Sequence, residues 1–424
     1  MRLELAQYHI HDVCFGNQTI TKDGVLTICK EELLGLLEED PRLGKVNIEL
    51  VHPGEKVRII NVLDVIEPRV KADGLGGVFP GITGRVEIVG QGRTLALKGV
   101  GIVNTGCTDI SLEAVIDMAG PGARLSPYYS SLHNVVIVPT RVPHVDQIDF
   151  VEGMVAAGLK AAEYLACAAK GLAPSEIEVY EMGTLTETMS NASGLPRVAY
   201  LYQIYSHRDM RDTRYYGEKP RHLIPTLIHP NEVFDGAIVA GDYDMPSGMK
   251  NETIVIQNHP IIKELYKRHG KELWFVGIVI TNEHARIDEK EKSAVLAAKM
   301  IKHILGADAA IISQTGGGHP NIDLMLNCRK CEQQGIKTVI VVSEESSADG
   351  SQFPLTMIVP EANAIISTGN INEEVELPAM ERVVGGEKFR RLKVFPNGEL
   401  RIPFYMIPGS TSQIGGARIT ASYF

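Results

Sequence analysis

The sequence lacks long apolar runs, has few cysteines and carries no excess of positive charge, and each absence excludes a class of protein. Its longest apolar runs, Val135–Val138 and Phe275–Ile280, fall far short of the ~20 residues that a transmembrane helix requires. Six cysteines in 424 residues are too few for a disulfide scaffold. Because 42 Lys and Arg stand against 52 Asp and Glu, the net charge of −10 argues against a nucleic-acid partner.

The remaining composition is that of an ordinary globular protein. Hydrophobic residues make up 44% of the chain and charged residues 22%, which excludes a disordered or fibrous protein. Residues Met1–Val13 alternate polar and apolar side chains and lack the apolar core of a signal peptide. We therefore expect a cytoplasmic protein of roughly two or three domains, with no membrane partner.

The order of strand-like and helix-like segments predicts an α/β fold in three parts. Residues 1–130 are expected to form a β-rich N-terminal domain. Its strand-like runs, which glycine and proline separate, are 57–65, 85–89 and 94–103. Residues 131–235 are expected to form an α/β middle domain, in which an apolar run precedes a long helix at 151–169. Residues 236–424 are expected to form an α/β C-terminal domain.

In the C-terminal domain, buried strand candidates alternate with amphipathic helices, which is typical of a doubly wound, largely parallel sheet. The strand candidates are Trp274–Ile280, Ala309–Ser313, Thr338–Val342 and Ala364–Ser367. Asp288 is a candidate N-cap for the helix between the first two strands. Upstream of this domain, the strongly charged segment 208–221 is expected to be an exposed loop.

Three consecutive glycines, Gly316, Gly317 and Gly318, follow the second of these strands and precede a helix. Ligands of open α/β sheets bind at the carboxyl ends of strands, and a helix N-terminus favours a negative group. We therefore expect a substrate carboxylate, or an acidic group of a partner, at these glycines, with His319 beside it. The alternative is a tight strand-to-helix turn that needs glycine for its geometry alone. The spacing matches neither a dinucleotide fingerprint nor a P-loop.

Polar residues also follow the other strands of this sheet. Asn282, Glu283 and His284 follow the first strand, Glu344 follows the third and Asn370 follows the fourth. Successive strand ends of a parallel sheet meet at one edge, so we expect these residues to line one crevice. Glu283 and His284 are the catalytic candidates, and Asn282, Glu344 and Asn370 are expected to contact the substrate.

Several of the thirteen histidines stand beside acidic residues in loops. His9 and His11 share one face of a strand and, together with His207, are the candidates for a divalent metal site. The sequence shows no complete ligand set, and solvated or core histidines are the competing interpretation. Cys328 and Cys331 fall inside a predicted helix and are interpreted as ordinary helix residues rather than as zinc ligands or a redox pair.

Longer stretches, distributed over nearly the whole chain, resemble one known family. They are residues 1–5, 62–86, 116–123, 229–241, 258–273, 277–283, 312–328 and 335–345. The chain resembles the substrate-binding proprotein subunit of component B of the glycine, sarcosine and betaine reductases, a family that also includes the D-proline reductase proprotein. Matches of this length and order are more specific than any short motif.

The resemblance implies a precursor that cuts itself in the stretch after residues 236–241 and converts the new N-terminal residue into a pyruvoyl group. The residue after the cut, a Cys or Ser, attacks the preceding carbonyl, and elimination and hydrolysis then leave a ketoacyl cap. That carbonyl forms a Schiff base with a substrate amine and serves as an electron sink. A selenoprotein or cysteine-containing partner subunit then displaces the amine.

The sequence departs from this family in the same stretch. Residues 242–247 contain no cysteine. The phenol of Tyr243 cannot perform the acyl shift, because it is held too far from the preceding carbonyl, whereas Ser247 could, as serine does in other pyruvoyl enzymes. We therefore expect a chain that stays uncleaved and lacks pyruvoyl, with Tyr243 and Ser247 at the reactive position of its relatives.

Three functions are compatible with these features. The first is a component B-like oxidoreductase subunit, part of an oligomeric complex, that acts on a small amine or amino-acid-like substrate by C–N bond cleavage. The second is a stand-alone hydrolase or lyase of the same fold that uses His and Glu side chains or a divalent metal ion. The third is a non-catalytic binding subunit of a reductase complex.

Overall fold

The computed structural model describes residues 1–72, 77–106, 113–184, 187, 194–206, 212–245, 247–389 and 391–416. Strands and helices alternate through these ranges, and parallel and antiparallel strand pairs occur together in mixed sheets. This arrangement confirms the predicted α/β fold. Crossing a bilayer would take a longer and more apolar helix than any in these ranges.

The secondary-structure elements are named in chain order. The strands β1 to β12 are Arg2–His9, Asp12–Gly16, Ile20–Lys22, Val25–Cys29, Leu43–Val51, Val57–Ile60, Val62–Ile66, Arg69–Lys71, Gly92–Lys98, Val100–Thr105, Val115–Asp117 and His133–Arg141. The strands β13 to β24 are Glu176–Glu181, Arg197–Ile204, Arg214–Tyr215, Thr226–Ile228, Ile238–Val239, Trp274–Asn282, Ala309–Ser313, Lys337–Glu344, Ile365–Asn370, Glu374–Leu377, Arg382–Val384 and Leu400–Pro403. The α-helices α1 to α9 are Lys30–Glu38, Gly120–Ala123, Pro127–Ser130, Gln147–Ala166, Pro230–Phe234, Thr253–Gln257, Pro260–Arg268, Ile287–Lys299 and Pro320–Gln333. Short 3₁₀ turns span Cys167–Ala169, Pro220–His222, Ser247–Met249 and Phe404–Met406, and a π-helical turn, Met300–Ile304, extends α8.

Two four-stranded sheets, with the strand orders β13-β1-β9-β8 and β5-β12-β10-β7, form the N-terminal part of the fold. Helix α4 contacts strands of both sheets and buries an apolar face that runs from Phe150 to Ala166. The helix begins where Asp146 accepts a hydrogen bond from the Asp149 amide at 2.9 Å, as an N-cap residue does. The chain leaves the helix through Gly171, whose φ of +82° favours glycine.

Strand pairing crosses the domain boundaries expected at residues 130 and 235. Strand β1 pairs with β13 from the middle segment, and β6 pairs with β23 from the C-terminal segment. Strand β12, which also comes from the middle segment, lies inside the second N-terminal sheet. Backbone hydrogen bonds therefore join the three segments, and their division into three domains stays a prediction.

A six-stranded sheet with the order β16-β18-β14-β19-β20-β21 positions the strand ends on which the predicted site depends. Its neighbouring strands pair in parallel except β16, which is antiparallel to β18. Tyr200 and Tyr202 of β14 pack in the core that contains α6 and α7, whereas Ala199 and Leu201 pack in the core that contains α8 and α9. Helices thus cover both faces of the sheet, which confirms the predicted doubly wound arrangement. Cys328 and Cys331 are buried core residues of α9, as interpreted from the sequence.

Three local predictions are wrong. Residues 85–89 pair with no described strand. Arg286 occupies the N-cap of α8, and Asp288 lies in the first turn, where it pairs with Arg286 at 3.0 Å and complements the helix dipole. The described part of the segment 208–221 is not an exposed loop, because Arg214 is buried and its guanidinium donates to Glu152 at 2.6 Å. Its partner Glu152, on helix α4, allows the Arg214 charge to be buried.

A buried ion pair between Arg58 of β6 and Asp117 of β11 ties the C-terminal segment to these two strands of the N-terminal segment. Its two hydrogen bonds are 2.6 and 2.9 Å long, and neither side chain is exposed. The Arg58 guanidinium also donates to the carbonyl oxygens of Pro378, Pro396 and Gly398. One guanidinium therefore satisfies a carboxylate on a neighbouring strand and three carbonyl groups of the C-terminal segment.

We expect Asp117→Asn to destabilise the protein by about 3–5 kcal/mol, because it leaves the buried Arg58 charge without a counter-ion. Lys56→Ala is the matched control, since Lys56 pairs with Glu381 in an exposed position. It should change the free energy of unfolding by less than about 1 kcal/mol. Urea unfolding followed by circular dichroism measures both values. Equal effects of the two substitutions would contradict the role assigned to the buried pair.

Candidate functional site

The chain that follows β17 runs through the interior of the protein. All residues from Gly241 to Met245 are buried, and so is Ser247. The side-chain amide of Asn104 donates to the hydroxyl oxygen of Tyr243 at 2.8 Å. The Ser247 hydroxyl donates to the carbonyl oxygen of Val62 at 3.3 Å. The two side chains that the sequence placed at the reactive position of the relatives therefore contact the N-terminal strands β10 and β7.

Two buried carboxyl groups flank this stretch and accept hydrogen bonds. Asp64, in the middle of β7, accepts from the Thr253 amide at 2.8 Å and from the Thr253 hydroxyl at 2.7 Å. Glu252 accepts from the Tyr129 hydroxyl at 2.6 Å, and its other oxygen has no hydrogen-bond partner among the described residues. Both carboxyl groups are almost completely removed from solvent.

A third buried carboxyl group and a buried lysine lie between them. Neither carboxyl oxygen of Asp242 has a hydrogen-bond partner in the described part of the chain. Lys250 donates to the backbone carbonyl oxygens of Leu63 and Asp242, and its ammonium group lies 5.1 Å from the centre of the Tyr243 ring. Among the described residues, the lysine charge is therefore held by backbone dipoles and an aromatic ring and forms no direct ion pair.

Burial raises the pKa of all three carboxyl groups, because removal from water penalises the ionised form. The pKa of Asp64 rises to about 7 and that of Glu252 to about 8. The pKa of Asp242 also lies above its ordinary value. The positive charge of Lys250 offsets only part of each shift. Near neutral pH, this cluster therefore retains protons that exposed carboxylates would have released.

The glycine loop that the sequence singled out adjoins this stretch. The Gly316 amide donates to the carbonyl oxygen of Met249 at 2.8 Å. Asn251 donates to the Thr315 hydroxyl at 3.2 Å, and the side chain of Gln413 donates to the Gly316 carbonyl oxygen at 2.7 Å. The structure thus brings two predicted parts of the site together and adds a residue from the C-terminal end of the described chain.

The glycine loop binds a carboxylate of the protein itself. The Gly318 amide and the Asn321 side chain both donate to Glu345, the latter at 3.2 Å. A Cβ atom at Gly317 would lie 2.0 Å from a carboxylate oxygen of Glu345, so this close approach requires glycine. In this structure the Gly318 amide is therefore occupied by an internal carboxyl group, and contact of the loop with a substrate carboxylate stays a prediction. His319, which follows the loop, is exposed.

Glu283 and His284 line a cavity of about 430 Å³ at the carboxyl edge of the sheet, together with Arg221 and Lys292. The side-chain amide of Gln203 donates to Glu283 at 3.2 Å. Burial raises the pKa of Glu283 well above its ordinary value and lowers the pKa of His284. These shifts favour the uncharged form of both side chains. The cavity therefore places an acid and an imidazole, each shifted toward its neutral form, beside two basic side chains.

The other predicted contact residues lie at the same sheet edge and hold neighbouring loops. Asn282 donates to a carbonyl oxygen of the turn Pro220–His222 at 2.8 Å. Glu344 accepts a hydrogen bond from a hydroxyl group of β21. Asn370 donates to a carbonyl oxygen of the loop after β20 at 2.9 Å. Their hydrogen bonds in this structure are with the protein, and their contact with substrate stays a prediction.

Of the histidines predicted as metal ligands, the two that the structure describes, His9 and His11, belong to no group of converging potential ligands in the described ranges. His9 and His11 are exposed, and Nε2 of His11 lies 3.0 Å from the carbonyl oxygen of Asp23. His207 lies outside the described residues. The group of potential metal ligands that does converge in the described ranges contains neither His9 nor His11.

Sequence reasoning missed Asp64, Lys250 and Glu252 as members of the site. Asp64 is the one acidic residue in the otherwise apolar strand Val62–Ile66, which is a sequence signal of a buried polar role. Lys250 and Glu252 follow a stretch without regular patterning, and nothing in the sequence indicates that they become enclosed.

We expect Glu252→Gln to reduce the pH dependence of stability. The carboxyl of Glu252 releases its proton near pH 4.5 in the unfolded chain and near pH 8 in the folded chain. Its contribution to the free energy of unfolding is therefore complete below pH 4.5 and is lost as the pH rises to 8. Urea unfolding across this pH range should give a shallower decline for Glu252→Gln than for the wild type. The exposed control Glu376→Gln should follow the wild type, and parallel declines of all three proteins would contradict the expectation.

The comparisons with known proteins point to one family over nearly the whole chain. Residues 1–411 match the family of glycine/sarcosine/betaine reductase component B subunits. The chain is 40% identical over 433 aligned residues to the glycine reductase complex component B subunits alpha and beta of Acetoanaerobium sticklandii, with 100% of both chains covered. It is 42% identical over 385 residues to the sarcosine reductase complex component B subunit alpha of Peptoclostridium acidaminophilum, which covers 91% of this chain and 89% of the relative. The betaine reductase complex component B subunit alpha of the same organism is 38% identical over 394 residues, with 91% and 88% covered.

No solved structure shows a significant match to this chain. The family assignment rests on the sequence matches, which extend through β1 to the residues after β24. The glycine loop and the buried stretch after β17 both lie inside the matched region. The chain therefore belongs to the family of glycine, sarcosine and betaine reductase component B subunits.

Proposed function

We propose that this chain is a substrate-binding subunit of a reductase complex, that it acts on a small amine or amino-acid-like substrate by C–N bond cleavage, and that it stays uncleaved and without pyruvoyl. The observation that carries the last part is the absence of cysteine from residues 242–252. The names of the relatives support the first part, since each describes a component of a glycine, sarcosine or betaine reductase complex.

A pyruvoyl group made by self-cleavage needs a nucleophilic side chain next to the bond that is cut. Apart from the phenol of Tyr243, Ser247 has the only hydroxyl or thiol group in residues 242–252. The Ser247 hydroxyl is buried and donates to a carbonyl oxygen of β7, a distant strand. The stretch does not fit a cysteine-derived pyruvoyl group, which supports an uncleaved chain.

Cleavage of a C–N bond requires that the departing amine take up a proton. Glu283 has a raised pKa and lines the cavity at the sheet edge, so it can donate a proton or a hydrogen bond to an amine held there. Arg221 and Lys292 in the same cavity place positive charge beside Glu283, and the substrate carboxylate is expected at the glycine loop. Neutral His284 can accept a proton from an ammonium group.

The same cleavage needs a nucleophile, which we propose a partner subunit supplies. The described residues that line the cavity with Glu283 include no cysteine. A selenocysteine or cysteine of the partner, ionised more easily than a hydroxyl group, would attack the carbon that bears the amine. In this proposal, the present chain binds the substrate and transfers protons to and from its amine. The partner forms the new bond to the carbon that carried the amine.

Mass spectrometry of the purified, denatured chain should give one species near 46.3 kDa. Borohydride or hydroxylamine should add no label within the sequence, because the proposal includes no internal carbonyl group. The Ser247→Ala variant is the matched control and should give the same pattern as the wild type. Two fragments with a carbonyl-reactive terminus, present in the wild type and absent from Ser247→Ala, would refute the uncleaved state.

We expect Glu345→Gln to strengthen binding of a carboxylate-containing substrate at the glycine loop. Glu345 competes with a substrate carboxylate for the Gly318 amide, so loss of its charge weakens this competition and removes the charge repulsion. Isothermal titration with glycine, sarcosine and betaine should show a gain of about tenfold for at least one ligand, which corresponds to about 1.4 kcal/mol. Asp349→Asn, on the exposed part of the same connection, is the control and should bind as the wild type does. Unchanged or weaker binding by Glu345→Gln would place the substrate carboxylate elsewhere.

A further inference from the structure

Asp12, His52 and His133 converge at one end of the N-terminal sheets. The Nδ1 atoms of His52 and His133 lie 3.0 Å apart. The Oδ1 atom of Asp12 lies 3.8 Å from Nδ1 of His52, and the three potential ligand atoms all lie within 4.8 Å of one another. The two imidazole rings meet edge to face at 73° rather than stacking. Two nitrogen atoms and one carboxylate oxygen therefore face a common space.

The backbone determines that the two histidines meet. His133 begins β12, and His52 directly follows β5. The antiparallel register pairs Asn134 with Val51, and the next position along both strands places the histidines opposite each other. The His133 amide also donates to the carbonyl oxygen of Gly99 at 2.9 Å. The approach of the two imidazoles is therefore a consequence of strand register.

The turn between β9 and β10 positions Asp12 beside this pair. The Ile10 amide donates to the carbonyl oxygen of Lys98 at 2.8 Å, which fixes the chain just before Asp12. Gly99 has a φ of +87°, and a Cβ atom there would lie 2.4 Å from the Ile10 carbonyl oxygen. Glycine is required for this close approach. The backbone beside Asp12 is therefore fixed, which positions the Asp12 carboxylate next to the two histidines.

These distances fit a tetrahedral zinc site. Zn²⁺ binds histidine nitrogen and carboxylate oxygen at about 2.0–2.2 Å, which separates neighbouring ligand atoms by about 3.3 Å. The observed separations of 3.0 and 3.8 Å bracket that value. The third pair, Asp12 and His133, lies within 4.8 Å, so a central ion would contact all three atoms once side-chain rotation brings them to the tetrahedral spacing. Imidazole and carboxylate groups are also ligands that Zn²⁺ and neighbouring divalent ions accept.

We propose that Asp12, His52 and His133 form a binding site for a divalent transition metal ion. Zn²⁺ is the ion with which the site is tested. Three protein ligands leave a fourth position for water or for a group of another molecule. The side chains of His52 and Asp12 are 31% and 54% exposed, so the ion can enter from solution. This site uses neither His9 nor His11, and it is independent of the proposed C–N bond cleavage.

A bound ion would connect the start of β2, the end of β5 and the start of β12. Among the described residues, β2 pairs with β4, whereas β5 and β12 belong to a different sheet. The ion would therefore cross-link two sheets through side chains. Because a ligand that binds only the folded chain shifts the unfolding equilibrium, Zn²⁺ should raise the melting temperature of the protein.

The full-length chain, freed of any histidine tag and of metal, should bind one equivalent of Zn²⁺ in competition with a chromophoric chelator. Co²⁺ should bind at the same site and give the visible absorption of a tetrahedral ion. His52→Ala, His133→Ala and Asp12→Asn should each weaken Zn²⁺ binding at least about tenfold, since even indirect partners of metal ligands cost that much. His303→Ala, at an exposed helical position, is the matched control and should bind as the wild type does.

Melting of the metal-free variants by circular dichroism checks that each of them folds, and Asp12→Asn alters an exposed side chain and leaves both imidazoles in place. Zn²⁺ should raise the melting temperature of the wild type and of His303→Ala, and raise that of the three site variants less. Absence of stoichiometric Zn²⁺ or Co²⁺ binding by the wild type would overturn the proposal. One equivalent bound by a folded His52→Ala/His133→Ala variant, or loss of binding in His9→Ala instead, would overturn it as well.

Discussion

The hydrogen bonds between Asp64 and Thr253 connect the elements on which the candidate site depends. Thr253 donates to Asp64 through its amide and its hydroxyl, at 2.8 and 2.7 Å. The Thr253 hydroxyl oxygen also accepts from the Ala240 amide at 3.0 Å. One threonine thus joins β7, the residue that follows β17 and the first turn of α6. Since both ends of residues 241–252 are fixed at this point, the stretch between them is held in the interior.

The same constraint determines the ionisation of the interior. Closure of the described part of residues 241–252 against β7 removes Asp64, Asp242 and Glu252 from water together with Lys250. Three carboxylates beside one buried ammonium would be costly, so raised pKa values and retained protons are the physical outcome. The stretch where the family resemblance implied self-cleavage therefore contains proton-holding acids and no thiol. It also supports the glycine loop, because Met249 accepts from the Gly316 amide.

The C-terminal sheet was predictable from the sequence, because its strands are short apolar runs and its helices begin at clear signals such as Pro320. The glycine loop was predictable for the same reason, but its internal partner Glu345 was not, since that contact depends on the path of the chain after β20. Arg214 lies in a charged segment, and only its ion pair with Glu152 of α4 explains its burial. His52 and His133 are 81 residues apart, and their contact follows from the register of two strands. Local patterns thus predicted the elements, whereas the partners of buried charges depend on tertiary contacts that no local pattern encodes.

The central claim is that the described part of the stretch after β17 is a closed interior element, and hydrogen–deuterium exchange of the intact protein tests it most directly. The amides of residues 241–256 should exchange as slowly as those of β7 and β10, because they are released only when the protein unfolds globally. The exposed residues 348–352 provide the reference for rapid exchange. Exchange of residues 241–256 at the rate of that exposed loop would contradict the claim.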